Sequence, residues 1–172
     1  MVKTIFAAAA CLLVLAGCDM RPRLQFDRGA FERARSDWEA QGVTCYVFEV
    51  GYFSSVTGPL PWVRMTVVGE EIICAELAAG QWTGDRDWDT YVDSMRERFG
   101  TVPDIFDYIW RRYQSARTAM GNTRRGAFVF IDVEYNVEYR FPEIFSFVVS
   151  QPAGMYGRGH TTLRMRNFEP VR

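Results

Sequence analysis

Lysine is all but missing from this chain: Lys3 is the only one among 20 cations, and the rest are arginine. A genomic bias towards arginine codons accounts for that without an arginine-dense recognition surface. Histidine is equally scarce. With His160 alone there is no histidine pair for zinc and no second imidazole to act as a general base. Positive charge is not in excess either. A formal net charge of −1 argues against a nucleic-acid binder, whose contact face is basic. There is no G-x-S-x-G stretch, no internal repeat and no low-complexity run. The sequence therefore leads to no catalytic residues, no metal and no cofactor.

Long apolar runs are absent beyond residue 17, so no membrane-spanning helix is expected there. Before it, Met1–Lys3 forms a short charged start and Ile5–Gly17 an apolar stretch of 13 residues. As a helix this stretch would span roughly 20 Å, short of a hydrocarbon core of about 30 Å. That length fits the core of a signal peptide. Its end, Leu15-Ala16-Gly17-Cys18, resembles a bacterial lipobox. The resemblance implies cleavage before Cys18, diacylglycerol on its sulfur, and a further acyl chain such as palmitate on the new amino group. Two or more acyl chains anchor stably where one is marginal. Residues 1–17 are then a removed signal, 18–26 a lipidated cysteine and tether, and 27–172 one globular domain. The expected address is the cell envelope, lipid-anchored and facing the periplasm, with the inner and outer membranes both open.

A content of 48% hydrophobic and 15% aromatic residues is enough for a substantial core in one domain of this length. Phe31, Ala34 and Trp38 fall on one helical stripe, with Asp27 placed to cap its start and Gly42 its end. Tyr46, Phe48, Val50 and Tyr52 alternate as a strand. Trp62 to Leu77 reads as a hairpin turning at Gly69-Glu70, with Met65 opposite Cys74 and Val67 opposite Ile72. Two amphipathic helices follow. One carries Trp88, Tyr91, Val92, Met95 and Phe99; the other runs from Pro103 to a stop at Gly121-Asn122. "AFVFIDVEY", "IFSFVVS" and "TTLRMRNF" close the chain as strands. The expected fold is α+β: an antiparallel sheet of five to six strands, two or three helices on one face, in the order α-βββ-αα-βββ. Asp132 and Glu134 on one strand, and Arg164 and Arg166 on another, would make cross-strand ion pairs if those strands were neighbours.

Trp38 followed by Tyr46, the hairpin "VRMTVVGEEI" and the segment "YNVEYRFPEIFSF" resemble a group of small bacterial lipoproteins that carry a domain of unknown function. The family pattern near Y-[DN]-x-E-Y-x-[YF]-P is matched by Tyr135, Asn136, Glu138, Tyr139, Phe141 and Pro142. Arg140 stands where a glycine is common, and an acidic pair often seen near the end is missing. The resemblance implies a compact lipoprotein domain with an antiparallel sheet, and it carries no reaction.

The candidate sites are few. Asp85, Asp87, Asp89 and Asp93 have the opening spacing of a calcium loop, but Thr90 replaces its glycine and Arg96 its final glutamate. Aspartates at a helix start serve the free N–H groups instead. Cys45 and Cys74 are either bridged or separate. A bridge requires the first strand to lie beside the third, because strands two apart stand about 10 Å from each other. Tyr135, Tyr139, Phe141, Tyr156 and Trp82 would form an aromatic groove if they met. The His160 loop and "SSVTGPLP" are the expected contact regions for a partner. The leading expectation is a non-enzymatic module that binds another envelope component, most simply a protein. The alternative is a hydrolase of an envelope substrate using Asp132, Glu134 or Glu138, which requires a cleft around a carboxylate of raised pKa.

Overall fold

The computed structural model describes residues 23–81, 88–121, 127–150 and 159–171. Its elements are β1 (Arg23–Gln25), α1 (Arg28–Gln41), β2 (Tyr46–Ser54), β3 (Gly58–Pro59), β4 (Val63–Val68) and β5 (Glu71–Leu77). Then come α2 (Asp89–Phe99), α3 (Val102–Gly121), β6 (Phe128–Tyr135), β7 (Pro142–Ser150) and β8 (Gly159–Pro170). The fold is α+β. Local chemistry places the helix ends where the sequence marks them. The Asp27 carboxylate accepts from the Ala30 N–H at 2.8 Å, and Gly42 closes α1 in the left-handed conformation. Thr101 and Asp104 form a reciprocal capping box at the head of α3: the Asp104 carboxylate accepts from the Thr101 N–H at 3.0 Å, and the Thr101 hydroxyl accepts from the Asp104 N–H at 3.2 Å.

The sheet departs from expectation in size and sense. It has eight strands in the order β1-β6-β7-β8-β2-β4-β5, with β3 paired to β2 off that path. It is mixed, because β1 runs parallel to β6. Thus part of the expected tether, Arg23–Gln25, is a strand of the domain, and the element order gains β1 before the first helix and β3 after β2. Three residues carry too little alternation to announce a strand, and parallel pairing has no local turn to betray it.

β8 lies between β7 and β2, pairing with both in antiparallel register. β7 stands between β6 and β8, so Asp132 and Glu134 do not face Arg164 and Arg166. Arg166 instead pairs with Glu49 of β2. In the hairpin Val67 does face Ile72, but Met65 faces Ala75 and Thr66 faces Cys74, because Ile73 is an extra residue in β5. Gly69 and Glu70 have φ of 59° and 73°, so both central residues of the turn are left-handed. β4 stands between β2 and β5, and Cys45 and Cys74 are free thiols.

The core lies between one face of the sheet and the helices. α1 contributes Phe31, Ala34 and Trp38; α3 contributes Ile105, Phe106 and Ile109; the sheet contributes Phe48, Val50, Met65, Phe145 and Leu163, all nearly sealed from solvent. A bulge near Asn167, whose φ is 52°, shifts the β2–β8 register by one residue. Phe168 can therefore join Trp38, Tyr46 and Phe141 on the helix side, although it is two places beyond Arg166 on the open side.

Candidate functional site

The face of the sheet away from the helices carries a recess with a mainly apolar lining. On β2, Glu49, Gly51 and Phe53 alternate outward from the core residues Phe48, Val50 and Tyr52. On β8, Arg166, Arg164 and Thr162 stand opposite them in turn. The chain then leaves β2, makes the short β3 and returns through Leu60, Pro61 and Trp62. A hollow of about 430 Å³ results, lined among others by Phe53, Leu60, Trp62, His160, Thr162 and Arg164.

Trp62 is held from several sides. Its indole lies against Gly51: a Cβ built there would come 2.8 Å from the ring. The Arg166 guanidinium stands 4.0 Å from the indole centroid. That guanidinium donates to the Glu49 carboxylate at 2.7 Å, and the Glu49 side chain is only 10% exposed. The backbone of Trp62 is clamped by Gln81, whose side-chain oxygen accepts from the Trp62 N–H at 2.7 Å and whose amide donates to the Trp62 carbonyl at 2.9 Å. Next door, the Tyr91 hydroxyl donates to the Pro61 carbonyl at 2.8 Å. Burial drives the Tyr91 pKa well above the usual phenol value.

The other wall joins the start of the "SSVTGPLP" segment to His160 at the head of β8; residues 151–158 of the expected His160 loop lie outside the described residues. The Ser55 N–H donates to the His160 carbonyl at 2.8 Å, and the His160 N–H to the Ser55 hydroxyl at 3.3 Å. The His160 ring meets Phe53 edge-on at 5.6 Å and shares a hydrogen bond with the Thr162 hydroxyl at 3.0 Å. Arg164 is exposed and has no ion-pair partner among the described residues. The hollow thus offers an apolar bed, a clamped aromatic plate and the exposed Arg164 guanidinium. It suits an apolar group with an acceptor or negative charge beside it.

The expected aromatic groove does not assemble. Phe141 is 2% exposed and packs on Trp38 and Phe168, and Tyr139 also meets Phe168. These two lie at the end of the sheet opposite His160. Tyr135 is half-buried near Asp27, with its pKa raised by burial. Tyr156 and Trp82 lie outside the described residues, as do Asp85 and Asp87. Asp132 and Glu134 are exposed, Asp132 lining a recess of about 260 Å³ together with Asp27 and Tyr135, and Glu138 is exposed in the turn before β7. Cys18 also lies outside the described residues. Among the described residues no three His, Cys, Asp or Glu side chains group as a metal site would require.

Sequence reading missed Gly51, Trp62 and Arg164 as members of one site. The available signal was Gly51 itself, a glycine inside an otherwise continuous strand, which marks the close approach of another group. Comparison with family models, with curated proteins and with solved structures gave no match.

Proposed function

We propose that this chain is a lipoprotein of the bacterial envelope, held to the membrane by acyl chains on Cys18, whose domain binds an envelope protein at the Trp62 hollow. The contacting part of the partner is an apolar side chain next to a carboxylate. The observation that carries the reading is the joining of Phe53, Leu60 and Trp62 in one recess with Arg164, which has no ion-pair partner among the described residues. Apolar recesses with a few placed polar groups are the usual form of a binding site, and the hydrogen-bonded clamp on Trp62 keeps this one preformed, which lowers the ordering cost of binding. The lipobox-like Leu15–Cys18 supports the address.

A photo-crosslinking amino acid at Leu60, activated in living cells, tests the reading. One dominant adduct is expected from Leu60, and none from Val137, which is exposed at the other end of the sheet. The adduct should weaken with Arg164→Glu and with Cys18→Ala. No adduct, or the same adducts from both positions, would contradict it.

A further inference from the structure

We infer that the domain has a second binding site, on the helix side of the sheet, where Arg98 of α2 and Arg112 of α3 take a phosphoryl group. The Trp62 hollow opens on the other face, so neither site depends on the other.

The two arginines meet over one ring. The guanidinium carbon of Arg98 stands 5.5 Å from the centre of Tyr108, and that of Arg112 stands 5.9 Å from it. Arg98 also lies over Phe99 at 4.9 Å and Tyr52 at 5.6 Å, and Arg112 over Phe147 at 4.0 Å. The fold explains the meeting. Tyr108 and Arg112 are one turn apart on α3. Phe99, at the end of α2, stacks on Tyr52 at 6.2 Å and meets Tyr108 edge-on at 4.8 Å. Tyr52 and Phe147 reach the helix side from strands on either side of β8. The rings of Phe99, Tyr108 and Phe147 are buried, while Arg112 is partly exposed and Arg98 exposed. The floor is therefore apolar and the charges lie at its opening.

Neither guanidinium has a counter-charge. No carboxylate is within ion-pair distance of Arg98 or Arg112 among the described residues. The acidic side chains of the two helices are placed elsewhere. Asp93, Glu97 and Asp104 line a separate recess with Arg96, Asp107 pairs with Arg35 at 2.9 Å, and Asp89 opens α2 at its far end. Moreover, the Nε of Arg112 is sealed from water and has no hydrogen-bond partner. Folded proteins rarely leave a buried donor unmet, and each case calls for a cause. Here a cation has given up part of its hydration to an aromatic ring, with nothing of opposite sign in exchange. An anion at its outer nitrogens supplies what is missing.

The phenols narrow the class of anion. Burial raises the Tyr108 pKa, the charges of Arg112 and Arg98 draw it back, and Tyr52 adds to the rise. Two guanidiniums and two phenols thus share one small region, and Tyr108 keeps its proton at neutral pH. A carboxylate offers about four acceptor positions on its two oxygens. Two bidentate forks and a phenol O–H exceed that number, whereas a phosphoryl group brings three strong acceptor oxygens and close to a double charge. The group can belong to a soluble phosphate ester or to a lipid headgroup, since the recognising chemistry is the same.

Nitrogen NMR of the arginine Nε–H groups in the purified full chain tests the inference. Inorganic phosphate is the first probe, with acetate at matched ionic strength beside it. Phosphate should move the Arg98 and Arg112 signals along one saturable curve, and acetate should bind about tenfold more weakly or worse. Arg98→Gln and Arg112→Gln should each weaken phosphate about tenfold, the scale of one charge-assisted hydrogen bond. Arg98 is exposed, so its variant stays informative if loss of Arg112 disturbs the core. Arg117→Gln removes the same charge further along α3 and should change nothing. Unsaturable drift of every arginine signal, acetate as effective as phosphate, or equal losses from Arg117→Gln and Arg98→Gln would overturn the site. Glycerol 3-phosphate and dihexanoyl phosphatidic acid then separate the two sources. Displacement of phosphate by the lipid at about tenfold lower concentration would support the site as one for headgroups, and displacement by both at similar concentrations would support it as one for soluble esters.

Discussion

At the scale of single residues, Gly51 carries the tightest constraint on the hollow. Any side chain there runs into the Trp62 ring, which the Gln81 clamp and the Arg166 guanidinium hold in place. Gly51→Ala should therefore lower stability by about 1–3 kcal/mol, the usual range for overpacking. The cause can be isolated by a double-mutant cycle read in urea melts. In a Trp62→Ala background most of the cost should vanish, because the ring that the new methyl strikes is gone. A cost unchanged in that background would assign it to the β2 backbone instead. Arg140 presents a second constraint of this kind. Its φ of 64° lies in the left-handed region, imposed by a turn in which the Asn136 side chain accepts from the Glu138 and Tyr139 N–H groups at 3.0 and 2.9 Å. Non-glycine residues pay about 1 kcal/mol for that conformation. Arg140→Gly should raise stability by up to that amount, less the added entropy of the unfolded chain, seen as a higher urea midpoint at unchanged slope.

At the scale of elements, local signals and long-range pairing separate cleanly. α1 was readable from Asp27 to Gly42 because its cap, stripe and stop all lie within sixteen residues. The β4–β5 hairpin was readable because its turn demands Gly69, and α3 because Pro103 and Gly121 bracket it. Three features had no local signature. β1 and β3 are three and two residues long. The place of β8 between β7 and β2 is a choice among partners distant in sequence, and it decides which charges meet. The bulge at Asn167 breaks a strict alternation that would set Phe168 outward with Arg164 and Arg166. The hollow inherits the same blindness. The "SSVTGPLP" loop is visible as a loop, but only the β2–β8 pairing brings it to His160, and only the fold sets Arg166 and Glu49 beside Trp62.

At the scale of the whole molecule, buried tyrosines tie the fold to pH. The Tyr46 hydroxyl accepts from the Val102 N–H at 3.0 Å, and burial pushes its pKa up to about 12 from the ordinary value near 10. The unfolded chain therefore loses this proton first. Above pH 10 it binds fewer protons than the native state, so stability falls as pH rises. The contribution is complete below pH 10 and is lost progressively towards pH 12, with a slope of up to about 1.4 kcal/mol per pH unit. Burial raises Tyr91, Tyr108 and Tyr135 in the same direction, although Arg112 and Arg98 oppose it at Tyr108. Urea melts across this range should show cooperative alkaline destabilisation. Tyr46→Phe should be less stable near pH 7, where it leaves the Val102 N–H without its acceptor, but should show a shallower decline above pH 10.

The proposed acylation of Cys18 would hold the domain close to the membrane, because only five peptide units join that residue to Arg23. Its most direct test is the intact mass of the mature protein extracted from the membranes of the cells that make it. The account predicts a chain beginning at Cys18 whose mass exceeds that of residues 18–172 by a diacylglyceryl group and an acyl chain. A chain that begins elsewhere, or one with an unmodified Cys18, would contradict it.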